Sequence, residues 1–295
     1  MTPLIQQLLA GAPVVTDGAW GTQLQARGLG LGEFPDTWNL THPERVGEVA
    51  QAYVEAGSQV ILTNTFGANR IRLAEQDLAD QAAEINKRGA EISRRAAAGK
   101  ARVFASIGPT GKLLMSGEVT PEELRAAFLE QARALAQGGA EALVVETMAD
   151  IEEAKLAVGA ARETGLPVVG CMVFDSGKDK DRTMMGTSPE QAARALTESG
   201  ADVVGANCGQ GVAGFVSICR RLHAATDRPI WIKANAGLPV MTDGRPQYLT
   251  TPQEFAGFVP ELLLAGATFL GGCCGTSPDF IRAVKTAVAK IGRQP

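Results

Sequence analysis

Short, almost continuously apolar runs alternate with Ala/Leu/Glu/Arg-rich stretches of helical length along the whole chain. The apolar runs fall at residues 13–17, 59–64, 102–107, 142–146, 167–174, 202–207, 229–235 and 268–271, eight in all. Most lack the every-second-residue alternation of a half-exposed strand. Unbroken apolar character is what parallel strands covered on both faces require. The segments between them carry clear helix starts. Thr120-Pro121-Glu122-Glu123, Ser188-Pro189-Glu190-Gln191 and Thr251-Pro252-Gln253-Glu254 each set a hydroxyl N-cap before a proline, with Glu or Gln at the third helical position. Ser277-Pro278-Asp279 and His42-Pro43-Glu44 are looser versions of the same start. A weak internal repeat agrees: AGSQVILTN (56–64), GGAEALVVET (138–147), SGADVVGANC (199–208) and AGATFLGGCC (265–274) each run from a helix-ending glycine into a strand that stops at a polar residue.

Eight strand–helix units in 295 residues are what a (β/α)8 TIM barrel needs. An open, doubly wound sheet is the main rival. No Pro/Gly/Ser-rich linker or block of charge divides the chain, so the sequence predicts one domain over residues 1–295.

Composition narrows the function. With 45% hydrophobic and 20% charged residues and a net charge of −4, the chain has no basic footprint for nucleic acid or an anionic membrane. Runs such as 60–62 and 143–145 are far too short to span a bilayer. The N-terminal stretch has neither a basic region nor an apolar core of signal type, which predicts a reducing, cytoplasmic setting. Five cysteines, an odd number, do not read as a disulfide framework.

In such a barrel the chemistry lies at the C-terminal ends of the strands. Those ends carry Asp17, Asn64, Ser106, Glu146, Phe174, Asn207-Cys208, Asn235 and Cys273-Cys274. Three of the five cysteines therefore share one face. Zinc–sulfur bonds of about 2.3 Å would gather Cys208, Cys273 and Cys274 on one Zn2+ and leave a fourth position open, as in catalytic rather than structural sites. Consecutive side chains on a regular strand point to opposite faces, so Cys273 and Cys274 can share an ion only if the strand has ended in a turn. The alternative is a set of isolated thiols and a redox-active vicinal pair. Cys171 and Cys219 read as inert packed thiols, and His42 and His223 as packed or solvated side chains. A soft ion on three thiolates suits a thiol as its fourth ligand, which it would deprotonate for attack on a carbon electrophile.

VTDGAWGTQL, LTNTFGANR, VVETM, ANCGQG and GGCCGTSP, in that order and spacing, resemble the homocysteine S-methyltransferase family, across essentially the whole chain. The resemblance implies a methyltransferase forming methionine from homocysteine, with zinc on Cys208, Cys273 and Cys274. It also implies that Asp17 and Glu146 hold the homocysteine amino group, while backbone amides around Gly18 and Ala19 take its carboxylate. Asn207 would support the metal site or shape its turn. Asn64 and Thr65 lie in a matching motif without an assigned contact. Trp38 falls where the betaine and S-methylmethionine branches of the family also carry a tryptophan. With Trp20 and Phe174 it would face a methylated cation. The methyl donor is accordingly expected to be a small onium compound such as betaine or S-methylmethionine, with a methylated corrinoid second and a corrinoid protein as a further candidate partner. Three other functions remain open. One is transfer to a different thiol acceptor, and another is a non-catalytic subunit that docks a corrinoid protein. The last is a phosphate-binding barrel, against which no Lys or Arg sits at the junction directly after strand eight.

Overall fold

The computed structural model describes residues 2–30, 32–242 and 245–291. All the predicted runs form strands: β1 (Val14–Val15), β2 (Val60–Ile61), β3 (Arg102–Ile107), β4 (Ala142–Met148), β5 (Val168–Met172), β6 (Val203–Gly211), β7 (Ile230–Asn235) and β8 (Ala267–Gly272). They pair in parallel and in chain order from β2 round to β8, and β8 then pairs with β1. Thr16 bridges Val60 in parallel, and the Gln59 amide donates to Val15 O at 2.7 Å, so the ring closes. Closure removes the sheet edges and excludes the open doubly wound arrangement. β1 and β2 are shorter than their apolar runs because side chains replace ladder bonds. The Val15 amide donates to Gln59 Oε1 at 2.9 Å, and the Leu62 amide to Asp17 Oδ2 at 2.7 Å.

Inward-facing residues fill the barrel. Phe104 and Phe269 pack on either side of Trp231, with ring centroids 6.1 and 5.3 Å away. The helix Pro3–Leu9 closes the end where the strands begin: its Ile5 joins this interior cluster, and its Gln7 accepts from Arg102 at the start of β3. The larger core lies between the strands and the outer helices, where residues such as Leu124, Phe128, Ile218 and Leu222 are buried. Capping boxes form at Thr120, Ser188 and Thr251 as the sequence predicts. His42 precedes its helix without a side-chain cap bond. The connection after β7 carries an antiparallel ribbon, Val240–Thr242 with Arg245–Gln247, that the run-and-helix pattern did not indicate. Among the described residues no helix is long and apolar enough to cross a membrane.

Candidate active site

β6 and β8 flank β7 and carry the cysteines to the C-terminal mouth. The register of β6 against β7 shifts between Cys208 and Gly211, and Cys208 itself is left-handed, with φ 62°. That conformation costs an L-residue roughly 1–2 kcal/mol. It is held where Cys208 joins Cys273 and Cys274 on the wall of a cavity of about 600 Å³. β8 ends at Gly272, and the vicinal pair lies in the turn that follows, in which the Thr276 amide and hydroxyl both donate to Cys273 O, at 3.1 and 2.7 Å. Gly275 completes the turn with φ 79°, where a Cβ would lie 2.1 Å from the Tyr248 ring. The strand has thus ended before the pair, as sharing one ion demands.

The three sulfurs all lie within 4.8 Å of one another, with Cys208 and Cys274 3.9 Å apart. A tetrahedral ion about 2.3 Å from each would set them roughly 3.8 Å apart, so the donor set fits zinc. Thiol–thiol hydrogen bonds also point to a cation. Donation from Cys273 and then Cys274 holds Cys208 down at about 3, whereas Cys274 is pushed up to about 12 and Cys273 well above the ordinary range. A divalent cation held by the three sulfurs would release the protons the thiols carry. Asn235 on β7 lies beside Cys208. Its Nδ2 donates to Gly209 O at 3.1 Å, while its buried Oδ1 has no partner among the described residues. By contrast Cys171 is buried in the barrel interior, and Cys219 Sγ lies 3.6 Å from Ala265 O in the outer core. Burial pushes both of those thiols up.

Of the predicted acids, Glu146 lines the cavity with the cysteines, while Asp17 is fully buried next to the lining residues Gly18 and Lys233. Glu146 accepts from Ser106 Oγ at 2.5 Å and from Asn207 Nδ2 at 3.1 Å. Burial raises its pKa, against the opposing pull of Lys233 and Ser106. Asn207 also takes the Thr147 amide on Oδ1 at 2.7 Å, and its Nδ2 lies 3.9 Å from Cys273 Sγ, so it both shapes the turn and reaches a sulfur. Asp17 is fully buried and well satisfied: Oδ2 accepts from Trp20 Nε1 at 2.8 Å and from the Leu62 amide, and Oδ1 pairs with Lys233 Nζ. Sequence reasoning missed Lys233. The available signal was a lysine inside the apolar run of β7, since a lysine is almost never fully buried unless paired.

Gly18 and Ala19 line the cavity, but the Ala19 amide already donates to Thr276 Oγ1 at 3.1 Å. Trp20, Phe34 and Phe66 line it as well. Trp38 is not brought to the cavity. It is 4% exposed in the core, its ring 4.6 Å from His42 and 5.5 Å from the Arg45 guanidinium. Phe174 is likewise buried in the core. Asn64 lines the cavity and ties its loop to Pro35 O and Asn39, whereas the Thr65 hydroxyl donates to Ser106 O beneath it.

The family model for homocysteine S-methyltransferase matches residues 14–288. Methionine synthases of Mycobacterium leprae and Mycobacterium tuberculosis are each 34% identical to the chain, over 96% and 97% of it. The chain spans about a quarter of the length of these relatives, 25% of each. The metallated form of the homocysteine methyltransferase MmuM from Escherichia coli superposes with a TM-score of 0.77 at 24% identity, over 92% of this chain and 95% of that one. A type I 3-dehydroquinate dehydratase from Clostridium difficile shares the fold at a TM-score of 0.54 and 11% identity, over 96% of this chain and 94% of that one. With the ordered motifs, the closed barrel and a family match over nearly the whole length, the chain belongs to the homocysteine S-methyltransferase family.

Proposed function

We propose that residues 1–295 act as one catalytic barrel that transfers a methyl group to homocysteine to form methionine, with zinc on Cys208, Cys273 and Cys274. The observation that carries this reading is the meeting of three sulfurs and the Glu146 carboxylate on one cavity, with Asp17 paired to the cavity-lining Lys233. A zinc ion there would supply Lewis-acid activation, keeping an acceptor thiol deprotonated at neutral pH.

The chain's own residues do the rest. Glu146 keeps acceptor capacity for the substrate ammonium, and Asp17 has one lone-pair site left beside Lys233. The Gly18 backbone is the candidate for the carboxylate, with the Ala19 amide already held by Thr276. Asn207, fixed by the Thr147 amide, orients Glu146 and lies against Cys273.

For the donor, a small onium compound such as betaine or S-methylmethionine ranks ahead of a methylated corrinoid. The homocysteine sulfur would attack the methyl carbon, and the C–N or C–S bond would break with its electrons leaving on a neutral amine or sulfide. No general acid is needed, which fits strand ends without histidine. Trp20, Phe34 and Phe66 are the aromatic groups in place to face such a cation. One zinc-loaded sample assayed with homocysteine against betaine, S-methylmethionine and methylcobalamin in parallel tests the reading. Methionine should form with an onium donor. Turnover with methylcobalamin alone would reverse the donor order, and turnover with none would contradict the proposal.

A further inference from the structure

A clamp of two carboxylates presupposes that both await a cation from the substrate, yet here the chain brings its own. Lys233 sits on β7 level with Asn207 on β6 and Gly271 on β8, 2% exposed, with its side chain lining the same cavity as the cysteines. Its Nζ pairs with Asp17 Oδ1, the one hydrogen-bond partner it has among the described residues. Burial works against its charge, but Asp17 and then Glu146 outweigh burial and the ammonium is retained. Trp20 Nε1 and the Leu62 amide take the other oxygen of Asp17. Three of the roughly four lone-pair sites of that carboxylate are therefore in use before substrate arrives. The Lys233 ammonium therefore offsets part of the negative charge that the two carboxylates would otherwise present to a substrate.

Two consequences follow for an acceptor thiol. An incoming ammonium meets a like charge at Asp17, which weakens its attraction to the pair. An incoming carboxylate meets less repulsion, and the N–H groups of Nζ not used by Asp17 are donors for it. We propose that Lys233 sets acceptor specificity: its ammonium fills part of the clamp, so the site takes thiols that carry a carboxylate but no amino group alongside homocysteine. This inference rests on the acceptor-site reading above.

The test is calorimetric binding of two thiols to the zinc-reconstituted chain: homocysteine, and 4-mercaptobutyrate, which keeps the carbon chain and carboxylate but lacks the amino group. The wild-type affinities should lie within about tenfold of each other. Lys233→Met restores two uncompensated carboxylates and should widen the ratio by about ten- to hundredfold in favour of homocysteine, the range for one charge-assisted hydrogen bond. Lys233→Arg, which keeps the cation, should leave the ratio narrow. A wild-type ratio above about tenfold, or a ratio that Lys233→Met does not change, overturns the inference. If the methionine variant fails to fold, the wild-type ratio alone decides. Binding of neither thiol contradicts the acceptor-site reading itself and removes the inference with it.

Discussion

Cys208, Cys273 and Cys274 differ from Cys171 and Cys219 in where the backbone releases them. The first three lie at the edge of a register shift or just past a strand end and meet at the mouth, while the other two lie within a regular strand and a helix. Replacing Cys208, Cys273 or Cys274 by alanine should therefore abolish retained zinc, measured as metal per chain by mass spectrometry. Cys171→Ala should leave it at about one. Full zinc occupancy in a Cys273→Ala, Cys274→Ala double variant would refute the assignment. Glu146→Gln should keep the metal and weaken homocysteine binding by about tenfold or more, the loss of one charge-assisted bond. Asp36, on the cavity wall, gives a separate handle on stability. Burial pushes its carboxyl up to about 6, against the Gly67 amide and Arg72. Its protonated form is thus favoured by folding, and the stability it contributes is present below the ordinary carboxyl range and lost as pH rises through about 6. A rise of about two pKa units corresponds to about 3 kcal/mol. Urea unfolding between pH 4 and pH 7 should show wild type losing up to about that much relative to Asp36→Asn, which mimics the protonated group. At this scale the cysteines and acids were legible because chemistry-bearing residues at strand ends stand out from apolar runs. Lys233 was not, because its charge sits inside such a run and its partner lies 216 positions away. Trp38 was read towards the site because a motif gives sequence order, and only packing decides whether an indole faces a cavity or the core beneath it.

Elements form here with local and tertiary signals in agreement. The hydroxyl–Pro–x–Glu/Gln grammar became reciprocal capping boxes at three helices, since each of those bonds is made within four residues. Strand ends were less legible. β6 continues to Gly211 and β4 to Met148, beyond their apolar runs, because register shifts near the mouth let polar residues join the sheet. β1 and β2 are cut short by the side chains of Gln59 and Asp17. No pattern of apolar residues reports such a substitution of side chain for backbone. The turn after β8 is the element on which the site depends most. Gly275→Ala would place a methyl group on a left-handed residue and against the Tyr248 ring. It should lower zinc affinity, read by competition with a chelator, while the thermal unfolding of the barrel shifts by only a few degrees. Unchanged affinity would show that Cys273 and Cys274 reach their positions without that turn.

For the whole molecule, ring closure decides what the elements can do together. β6, β7 and β8 pair directly and bring residues 208, 233 and 273 to one cavity, and the return of β8 to β1 adds residues 18–20 to the same wall. The closed barrel was readable from the count of eight strand–helix units, although an open sheet uses the same alternation. The central claim is that the three thiolates hold zinc for the acceptor thiol. Calorimetric titration of homocysteine into the zinc-loaded chain and into the same chain stripped by a chelator tests it most directly. Binding accompanied by proton release should occur in the loaded sample and be lost in the stripped one, then return when zinc is restored. Equal affinity in the two samples would contradict the account.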